Sequence, residues 1–226
     1  PKASRQNTVY KRINLMADIA IIDYGMGNVH SVRKALNKVL DKNSTVKITN
    51  SLNDLSDCSH IVFPGQGAAS ECMINIDKNL DIVEFKKIIS QKPFLGICMG
   101  LQVLMTHSEE NEGSNCLNIL DGKVLSIERK MNSNLKVPHM GWNKVKQENK
   151  HPLWKNIPNG VFFYFVHSYF VKPLDKSNIL STTNYDLDFA SALYKDNIAA
   201  VQFHPEKSSK MGLRLLENFI NWNGEI

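Results

Sequence analysis

The chain has 226 residues, 42% of them hydrophobic and 22% charged, which predicts one globular domain with a sizeable core. No apolar stretch approaches the roughly 20 residues of a membrane-spanning helix, so no membrane partner is expected. The net charge of +5 does not indicate a nucleic-acid partner, because +4 of it precedes the first acidic residue, Asp18, and comes from Lys2, Arg5, Lys11 and Arg12.

Cysteine usage narrows the chemistry further. The four cysteines show no C-x-x-C pairing, which argues against a zinc site or a disulfide framework; they are Cys58, Cys72, Cys98 and Cys116. We therefore expect a reducing, cytoplasmic setting with no metal and no cofactor. Residues 1–16 are predicted to form a polar, basic N-terminal extension, and residues 17–226 the folded domain.

The first half of the chain alternates short apolar strands with helices. Strands are predicted at residues 18–23, 45–49, 60–64 and 94–97, and the apolar positions between Val29 and Leu40 share one face of a helix. Residues 69–90 have helical patterning, broken into two helices near Leu80 and Asp81. This alternation predicts an α/β fold with an open, mostly parallel sheet flanked by helices.

Two glycine turns follow strands in this half. The turn Tyr24-Gly-Met-Gly-Asn28 resembles a dinucleotide fingerprint, but His30 stands where the third glycine belongs, so an ordinary turn is favoured. The turn Pro64-Gly-Gln-Gly-Ala68 has two glycines one residue apart, which can let a peptide flip and present an N–H group to a ligand. A tight strand-to-helix turn is the alternative.

Cys98 lies at a predicted strand-to-helix junction. Gly96 and Gly100 flank it in the pattern G-x-C-x-G, the cysteine counterpart of the nucleophile elbow, and Leu101 and Leu104 begin helical spacing after it. The N–H groups at a helix N-terminus stabilise negative charge and can hold an oxyanion. This segment alone leaves two interpretations open: a nucleophile, or a buried cysteine packed as a small hydrophobe.

In the second half of the chain, the sequence pattern changes to one typical of antiparallel strands and hairpins. Strands are predicted at residues 122–127, 142–145, 161–171, 179–183 and 189–194. A strand at residues 198–203 then delivers His204-Pro-Glu206, and a final helix spans residues 208–222 with Ser208 or Ser209 near its N-cap. The extra strands add an antiparallel part to the sheet.

His204 and Glu206 complete a set of catalytic side chains. A thiolate nucleophile needs a base to take and return a proton, and that base needs a carboxylate to orient it. Two residues apart in extended geometry, His204 and Glu206 can converge on one region. A His-Pro-Glu triplet alone suits a surface turn equally well, but with Cys98 at the end of another strand it predicts a Cys98, His204, Glu206 triad.

At this point the chain resembles a known family. The segments Gly96-Ile-Cys-Met-Gly-Leu-Gln102 and Phe203-His-Pro-Glu206 are similar to the class I, triad-type glutamine amidotransferases. Further segments resemble the glutaminase subunits of imidazole glycerol phosphate synthase; they are residues 23–28, 64–67, 137–143, 164–169 and 204–209. The resemblance covers about residues 18–222 and implies a flavodoxin-like fold.

The resemblance also implies roles for individual residues. Cys98 would attack the glutamine side-chain amide and form a glutamyl thioester, His204 would carry the proton to ammonia, and Glu206 would orient His204. The oxyanion would be held by the N–H of Met99 and, after a peptide flip, by an N–H at Gln66 or Gly67. Glutamine would be bound by Gln102, Glu110 and Ser168. For Gln102 and Glu110, a solvated residue at a helix end is the alternative.

In this family the ammonia travels to a (β/α)8-barrel cyclase, with which the glutaminase forms a heterodimer. The cyclase product is imidazole glycerol phosphate, with an aminoimidazole carboxamide ribotide, in histidine biosynthesis. The residues expected to face the cyclase and gate the ammonia route are Asn28, Trp142, Tyr164 and Lys207. A buried Trp142 and a Tyr164 within the sheet core are the structural alternatives.

Competing functions remain open from the sequence. A paralogous amidotransferase could feed ammonia to a cyclase-like partner that makes a modified sugar for a surface polysaccharide. A glutaminase for pyridoxal phosphate synthesis would lack the Pro138-His-Met-Gly-Trp142 segment. A Cys-His peptidase is disfavoured by Glu206 and Gln102, and a non-catalytic binding module by the presence of all three triad side chains.

Overall fold

The computed structural model describes residues 18–131 and 135–226, and the extension predicted at residues 1–16 lies outside them. The described strands are β1 (Asp18–Ile22), β2 (Thr45–Thr49), β3 (His60–Gly65), β4 (Phe94–Cys98), β5 (His107–Ser108), β6 (Ser114–Asn115), β7 (Gly122–Ser126), β8 (His139–Lys144), β9 (Lys146–Gln147), β10 (Phe162–His167), β11 (Tyr169–Pro173), β12 (Ile179–Tyr185), β13 (Leu187–Lys195) and β14 (Ile198–Val201). The α-helices are α1 (Val29–Asn37), α2 (Leu52–Asp57), α3 (Ala69–Asn79), α4 (Ile82–Ile89), α5 (Met99–Gln102) and α6 (Ser209–Ile220). Short 3-10 turns lie at Glu110–Glu112, Pro152–Trp154, Lys176–Asn178 and Pro205–Lys207.

Twelve of the described strands form one mixed sheet. Its order is β2-β1-β3-β4-β14-β13-β11-β7-β5-β6, with β12 on β13 and β9 on β12. Five neighbouring strands run parallel to one another, namely β2, β1, β3, β4 and β14. Strand β14 then pairs antiparallel with β13, and the antiparallel part of the sheet begins there. The α/β fold with a parallel sheet and additional antiparallel strands is therefore confirmed.

Apolar side chains cover both faces of the parallel part, as the alternation of a strand requires. In β1, Ile19 and Ile21 pack into one core and Ala20 and Ile22 into the other, on the opposite face. Strands β3, β4 and β14 are buried throughout, which explains why they are nearly continuous apolar runs. The carboxyl ends of β4 and β14 therefore lie side by side in the centre of the sheet.

The break between α3 and α4 lies at the predicted place. Helix α3 ends at Asn79, and the carboxylate of Asp81 accepts hydrogen bonds from the N–H groups of Val83 and Glu84 at the start of α4. The capping carboxylate begins a new helix instead of continuing the old one.

The helix after Cys98 is much shorter than its apolar spacing suggests. Helix α5 has four residues, and the N–H groups of Leu104 and Met105 then bond three residues back, to Leu101 and Gln102. The carbonyl of Leu104 accepts the N–H groups of Ile119 and Leu120 from a distant loop. These long-range hydrogen bonds end the helix although its side chains stay buried.

The strand predicted at residues 161–171 is two strands in two different sheets. Strand β10 pairs antiparallel with β8 in a separate two-stranded sheet, whereas β11 joins the main sheet. The small sheet is attached to the turn after β14, because the Tyr164 carbonyl accepts the His204 N–H at 2.8 Å. The Ser208 hydroxyl strengthens this attachment by accepting the Tyr164 N–H at 2.9 Å and donating to the His204 carbonyl at 2.6 Å.

Candidate active site

Cys98 sits on a strained turn between β4 and α5. Its φ of 56° and ψ of −105° belong to a region that non-glycine residues rarely occupy. The flanking glycines make this turn possible: a Cβ on Gly96 would collide with the carbonyl of Gly100, and a Cβ on Gly100 with the carbonyl of Phe63. The geometry of a nucleophile elbow is thus present, with both glycines required by close backbone approach.

Substitution of Gly100 by alanine should therefore disrupt the elbow. We expect the free energy of unfolding to fall by about 2–4 kcal/mol, because the backbone of β3 must move to admit the methyl group. Gly160→Ala is the matched control, since its Cβ would meet open space and only its φ of +77° is unfavourable; its cost should be about 1 kcal/mol. Urea unfolding measures both, and equal losses would contradict the steric account.

His204 and Glu206 form a buried pair one strand away. The His204 Nδ1–H donates to Glu206 Oε1 at 2.8 Å, with the two side chains 7% and 1% exposed. The extended geometry expected here is wrong beyond His204, because Pro205–Lys207 form a 3-10 turn, and this turn brings the carboxylate to the ring. The carboxylate fixes the tautomer, which leaves His204 Nε2 to exchange a proton with a reacting group.

The charge state of His204 follows from its neighbours. Burial lowers the pKa of His204, but the negative charge of the Cys98 thiolate and the Glu206 carboxylate outweigh it and raise the pKa to about 10. Among the described residues, Nε2 has no hydrogen-bond partner. The site therefore favours a protonated His204 next to Cys98, which is the acid that a Cys-His site needs to protonate a leaving group.

Gln202 is a site residue that the sequence patterns did not indicate. Its Nε2 donates to Cys98 Sγ at 3.6 Å, while Sγ lies 3.9 Å from the Val166 carbonyl. Gln202 is fully buried and directly follows the apolar strand β14. A polar residue in such a run is a signal that could have identified it.

One cavity of about 350 Å³ connects most of the predicted site residues. Its lining includes the predicted nucleophile and base, the oxyanion-hole candidates and the substrate-binding candidates, namely Cys98, His204, Met99, Gln66, Gly67, Gln102, Glu110 and Ser168. Glu206 lies behind His204, outside the lining. The volume is within the range of small-molecule sites. The triad and the candidate glutamine contacts are thus brought to one place.

The candidate substrate residues differ in their surroundings. Gln102 is 2% exposed, so the alternative of a solvated helix-end residue is wrong for it. Its Nε2 donates to the Tyr169 carbonyl at 3.0 Å and to Gln202 Oε1 at 3.2 Å, while its Oε1 has no partner among the described residues. Glu110 is half-buried, which raises its pKa, and its carboxylate accepts the Ala69 N–H at the start of α3 at 2.7 Å.

The remaining candidates line the mouth of the cavity. Gln66 and Gly67 are exposed in the turn after β3, and Gly67 has a φ of +91°. Register places Gly65 beside Cys98, so this turn faces the elbow. Ser168 is half-buried, and its carbonyl accepts the Ile127 N–H at 2.9 Å. Their roles in holding an oxyanion or glutamine stay predictions.

Three of the four predicted partner-facing residues form one patch. Trp142 is 50% exposed, so the alternative of a buried Trp142 is wrong. It packs edge-on against half-buried Tyr164, with ring centroids 6.1 Å apart, and Lys207 Nζ lies 5.7 Å from the Tyr164 ring centroid. The side chain of the fourth, Asn28, caps α1 by accepting the Ser31 N–H at 3.2 Å, and its place at the partner surface stays a prediction.

The patch extends over one face of the small sheet. Register pairs three residues of β8 with three of β10 along this face, which we call the hairpin face: Met140 with Val166, Trp142 with Tyr164, and Lys144 with Phe162. Met140 and Phe162 are exposed apolar side chains like Trp142. Val166 lines the cavity beside Cys98. The hairpin face therefore runs from exposed apolar surface to the nucleophile.

Within residues 18–131 and 135–226, no cluster of three or more histidine, cysteine or acidic side chains has the geometry to hold a metal ion. The helices of these segments include none with the length and apolar character to cross a bilayer.

Comparison with known proteins identifies the family. The profile of the family Glutamine amidotransferase class-I matches residues 20–222. The chain is 49% identical to the imidazole glycerol phosphate synthase subunit HisH of Hydrogenovibrio crunogenus, over 92% of this chain and 97% of that protein. It is 50% identical to the protein of the same name from Nitrosococcus oceani, over 92% and 99%.

Two solved structures share the fold at low sequence identity. PurLQS from Thermotoga maritima superposes with a TM-score of 0.69 at 16% identity, covering 92% of this chain and 99% of that one. A glutamine amidotransferase structure gives 0.68 at 15% identity, covering 90% and 97%. With the profile match and the relatives, the conclusion is that this chain belongs to the class-I glutamine amidotransferases and, within them, to the HisH subunits of imidazole glycerol phosphate synthase.

Proposed function

We propose that this chain hydrolyses glutamine to glutamate and ammonia through Cys98, His204 and Glu206. The observation that carries the proposal is the shared cavity, in which a strained cysteine and a carboxylate-oriented histidine face the same space. Cys98 Sγ attacks the side-chain amide carbon of glutamine. The C–N bond breaks as His204 Nε2 donates its proton to the leaving ammonia, and a glutamyl thioester remains. Water, deprotonated by His204, then releases glutamate and the free thiol.

The oxyanion of both tetrahedral intermediates needs two donors. Met99 supplies one from the first residue of α5, directly after the nucleophile. The second comes from the turn after β3, where a flip of a peptide at Gln66 or Gly67 turns an N–H toward the cavity; the glycine at a φ of +91° lowers the barrier of that turn to rearrangement. Glutamine itself is held by Gln102, Glu110 and Ser168, which line the same cavity.

We further propose that the ammonia passes to a (β/α)8-barrel cyclase subunit bound on the hairpin face. An exposed apolar surface with an aromatic centre is typical of a protein interface. The relatives are themselves named as subunits of imidazole glycerol phosphate synthase. Because Val166 of this face also lines the cavity, a partner seated there would cover the route from Cys98.

The partner would use the ammonia to make imidazole glycerol phosphate, with aminoimidazole carboxamide ribotide, in histidine biosynthesis. Relatives between 42% and 50% identical carry the imidazole glycerol phosphate synthase name, which favours this pathway over the modified-sugar alternative. Four free cysteines fit the reducing cytoplasm as its location.

The proposal is tested by glutamate release from glutamine, measured for the chain alone, with the cyclase subunit, and with the cyclase and its nucleotide substrate. We expect turnover to rise with the cyclase and again with the nucleotide, and the amide nitrogen of glutamine should appear in the product, imidazole glycerol phosphate. Stimulation by a different cyclase-like partner only would contradict the pathway, and no turnover in any combination would contradict the chemistry.

The hairpin face gives a separate prediction. Trp142→Ala should weaken cyclase binding about ten- to hundredfold, because exposed aromatic anchors at the centre of an interface carry much of its binding energy. Leu174→Ala is the matched control, since Leu174 is a 79% exposed apolar side chain outside the hairpin face. Isothermal titration with the cyclase measures both, and equal effects would remove the hairpin face from the interface.

A further inference from the structure

Two buried histidines form a hydrogen-bonded chain beside the cavity. His139 Nδ1 lies 2.9 Å from His167 Nε2, and both rings are buried. His139 is stacked on Phe165 and Tyr185, with ring centroids 4.8 and 4.0 Å apart. Neither histidine has a role in the proton transfers described above.

The partners at the two ends of this hydrogen-bond chain determine which ring nitrogens of the two histidines carry protons. At one end, His167 Nδ1 lies 2.8 Å from the Tyr169 carbonyl, which can only accept, so Nδ1 carries the proton and Nε2 is an acceptor. His139 Nδ1–H must then donate to it. At the other end, the Asn143 amide donates to the Asn184 carbonyl at 2.9 Å and to His139 Nε2 at 3.1 Å. Every donor meets an acceptor only if both rings are neutral.

The surroundings favour that neutral state. Burial lowers the pKa of His139 to about 4 and that of His167 to about 3. Two other titratable side chains face the pair. The Tyr185 ring is stacked on His139. The positive charge of His204 opposes protonation of His167. The pair is therefore a fixed, uncharged hydrogen-bond chain at neutral pH.

The hydrogen-bond chain formed by the two histidines ends at the wall of the cavity. The Tyr169 carbonyl that accepts from His167 also accepts the Gln102 Nε2–H at 3.0 Å. The Gln102 amide nitrogen therefore donates both to this carbonyl and to Gln202 Oε1. The Gln102 Oε1 is a buried acceptor without a partner among the described residues. A buried acceptor in a cavity wall is suited to a donor group of the ligand.

We infer that His139 and His167 are positioning residues for glutamine binding: they hold the Tyr169 carbonyl, and with it the Gln102 amide, in the orientation that presents Oε1 to the donor groups of glutamine. The inference rests on the proposed function. His167 acts through Tyr169 and Gln102, and His139 acts by satisfying and orienting His167. His167 also lines the cavity, but both of its ring nitrogens are hydrogen-bonded within the protein, to His139 and to the Tyr169 carbonyl.

The test replaces His167 by asparagine and by glutamine in the full chain, assayed as the complex with the cyclase subunit. An asparagine amide nitrogen takes the place of the ring Nδ1, so it keeps the donor to the Tyr169 carbonyl. A glutamine amide nitrogen takes the place of Nε2, so that donor is lost. The readouts are KM and kcat for glutamine and the rate at which iodoacetamide alkylates Cys98, followed on the Cys98 peptide by mass spectrometry.

We expect His167→Gln to raise the KM for glutamine about tenfold, the effect of one misplaced buried hydrogen bond, while kcat and Cys98 alkylation stay within about twofold. His167→Asn should restore KM to within about threefold of the unsubstituted chain. Equal KM values for the two variants, or a loss confined to kcat, would overturn the inference.

The pair His139→Asn and His139→Gln repeats the comparison one residue further from the cavity, should either His167 variant fail to fold. His139→Asn keeps the donor to His167 and should have the lower KM of the two; the same KM for both would overturn the inference. Absence of glutamate release by the unsubstituted complex would instead overturn the proposed function, and the inference with it.

Discussion

Cys98→Ala should lower glutamate release by the cyclase complex by at least about ten-thousandfold, because no other group in the cavity can form the thioester. The substitution removes the only thiol among the described residues that line the cavity, without adding volume to the strained turn. Folding and cyclase binding should be retained, since alanine tolerates the elbow conformation about as well as cysteine does. The measurement is steady-state glutamate release at saturating glutamine.

Cys116→Ala is the matched control for this experiment. Cys116 is a half-buried free cysteine outside the cavity, and its thiol contacts the Ser114 carbonyl at 3.8 Å. Its replacement should leave glutamate release within about twofold, as for a substitution away from the site. Turnover retained in Cys98→Ala, or lost to the same degree in Cys116→Ala, would contradict the assignment of Cys98 as the nucleophile.

His204→Asn should lower glutamate release about a thousandfold or more. The asparagine amide nitrogen takes the place of Nδ1 and can still donate to Glu206, but nothing remains at the position of Nε2 to protonate ammonia or to activate water. Glu206→Gln should also lower glutamate release, but by a factor about ten to a hundred times smaller than His204→Asn does. The base remains in this variant, and only its orientation and its charge partner change.

His30→Asn is the control for the histidine variants, since His30 is an exposed residue of α1 outside the cavity. It should leave both KM and kcat unchanged.

A pH profile of kcat/KM for Glu206→Gln gives a second readout, because loss of the carboxylate removes one of the interactions that raise the pKa of His204. An unchanged profile would show that Glu206 does not support the charged imidazole.

The parts of the fold and site that the sequence predicts are those set by local rules. The apolar runs of β3, β4 and β14 identify the parallel strands because strands buried on both faces contain few polar residues. Gly96 and Gly100 predict the elbow because a tight turn beside packed backbones admits no side chain there. The triad follows from chemistry: a cysteine nucleophile needs a base, and His204 with Glu206 offers one.

The parts that the sequence does not predict depend on contacts between distant segments. Helix α5 ends early because the Leu104 carbonyl is taken by Ile119 and Leu120. The run at residues 161–171 divides because its two halves pair with different sheets. The His139–His167 chain joins residues 28 positions apart, and each histidine alone gives no local signal.

The glutamyl thioester proposed on Cys98 can be trapped directly. The complex with cyclase and nucleotide is mixed with glutamine, quenched in acid within the first turnover, and digested for mass spectrometry. We predict one glutamyl group on the peptide that contains Cys98, formed before glutamate appears and lost as glutamate is released. Glutamate release with the Cys98 peptide unmodified throughout, or with the glutamyl group on another residue, would contradict the account.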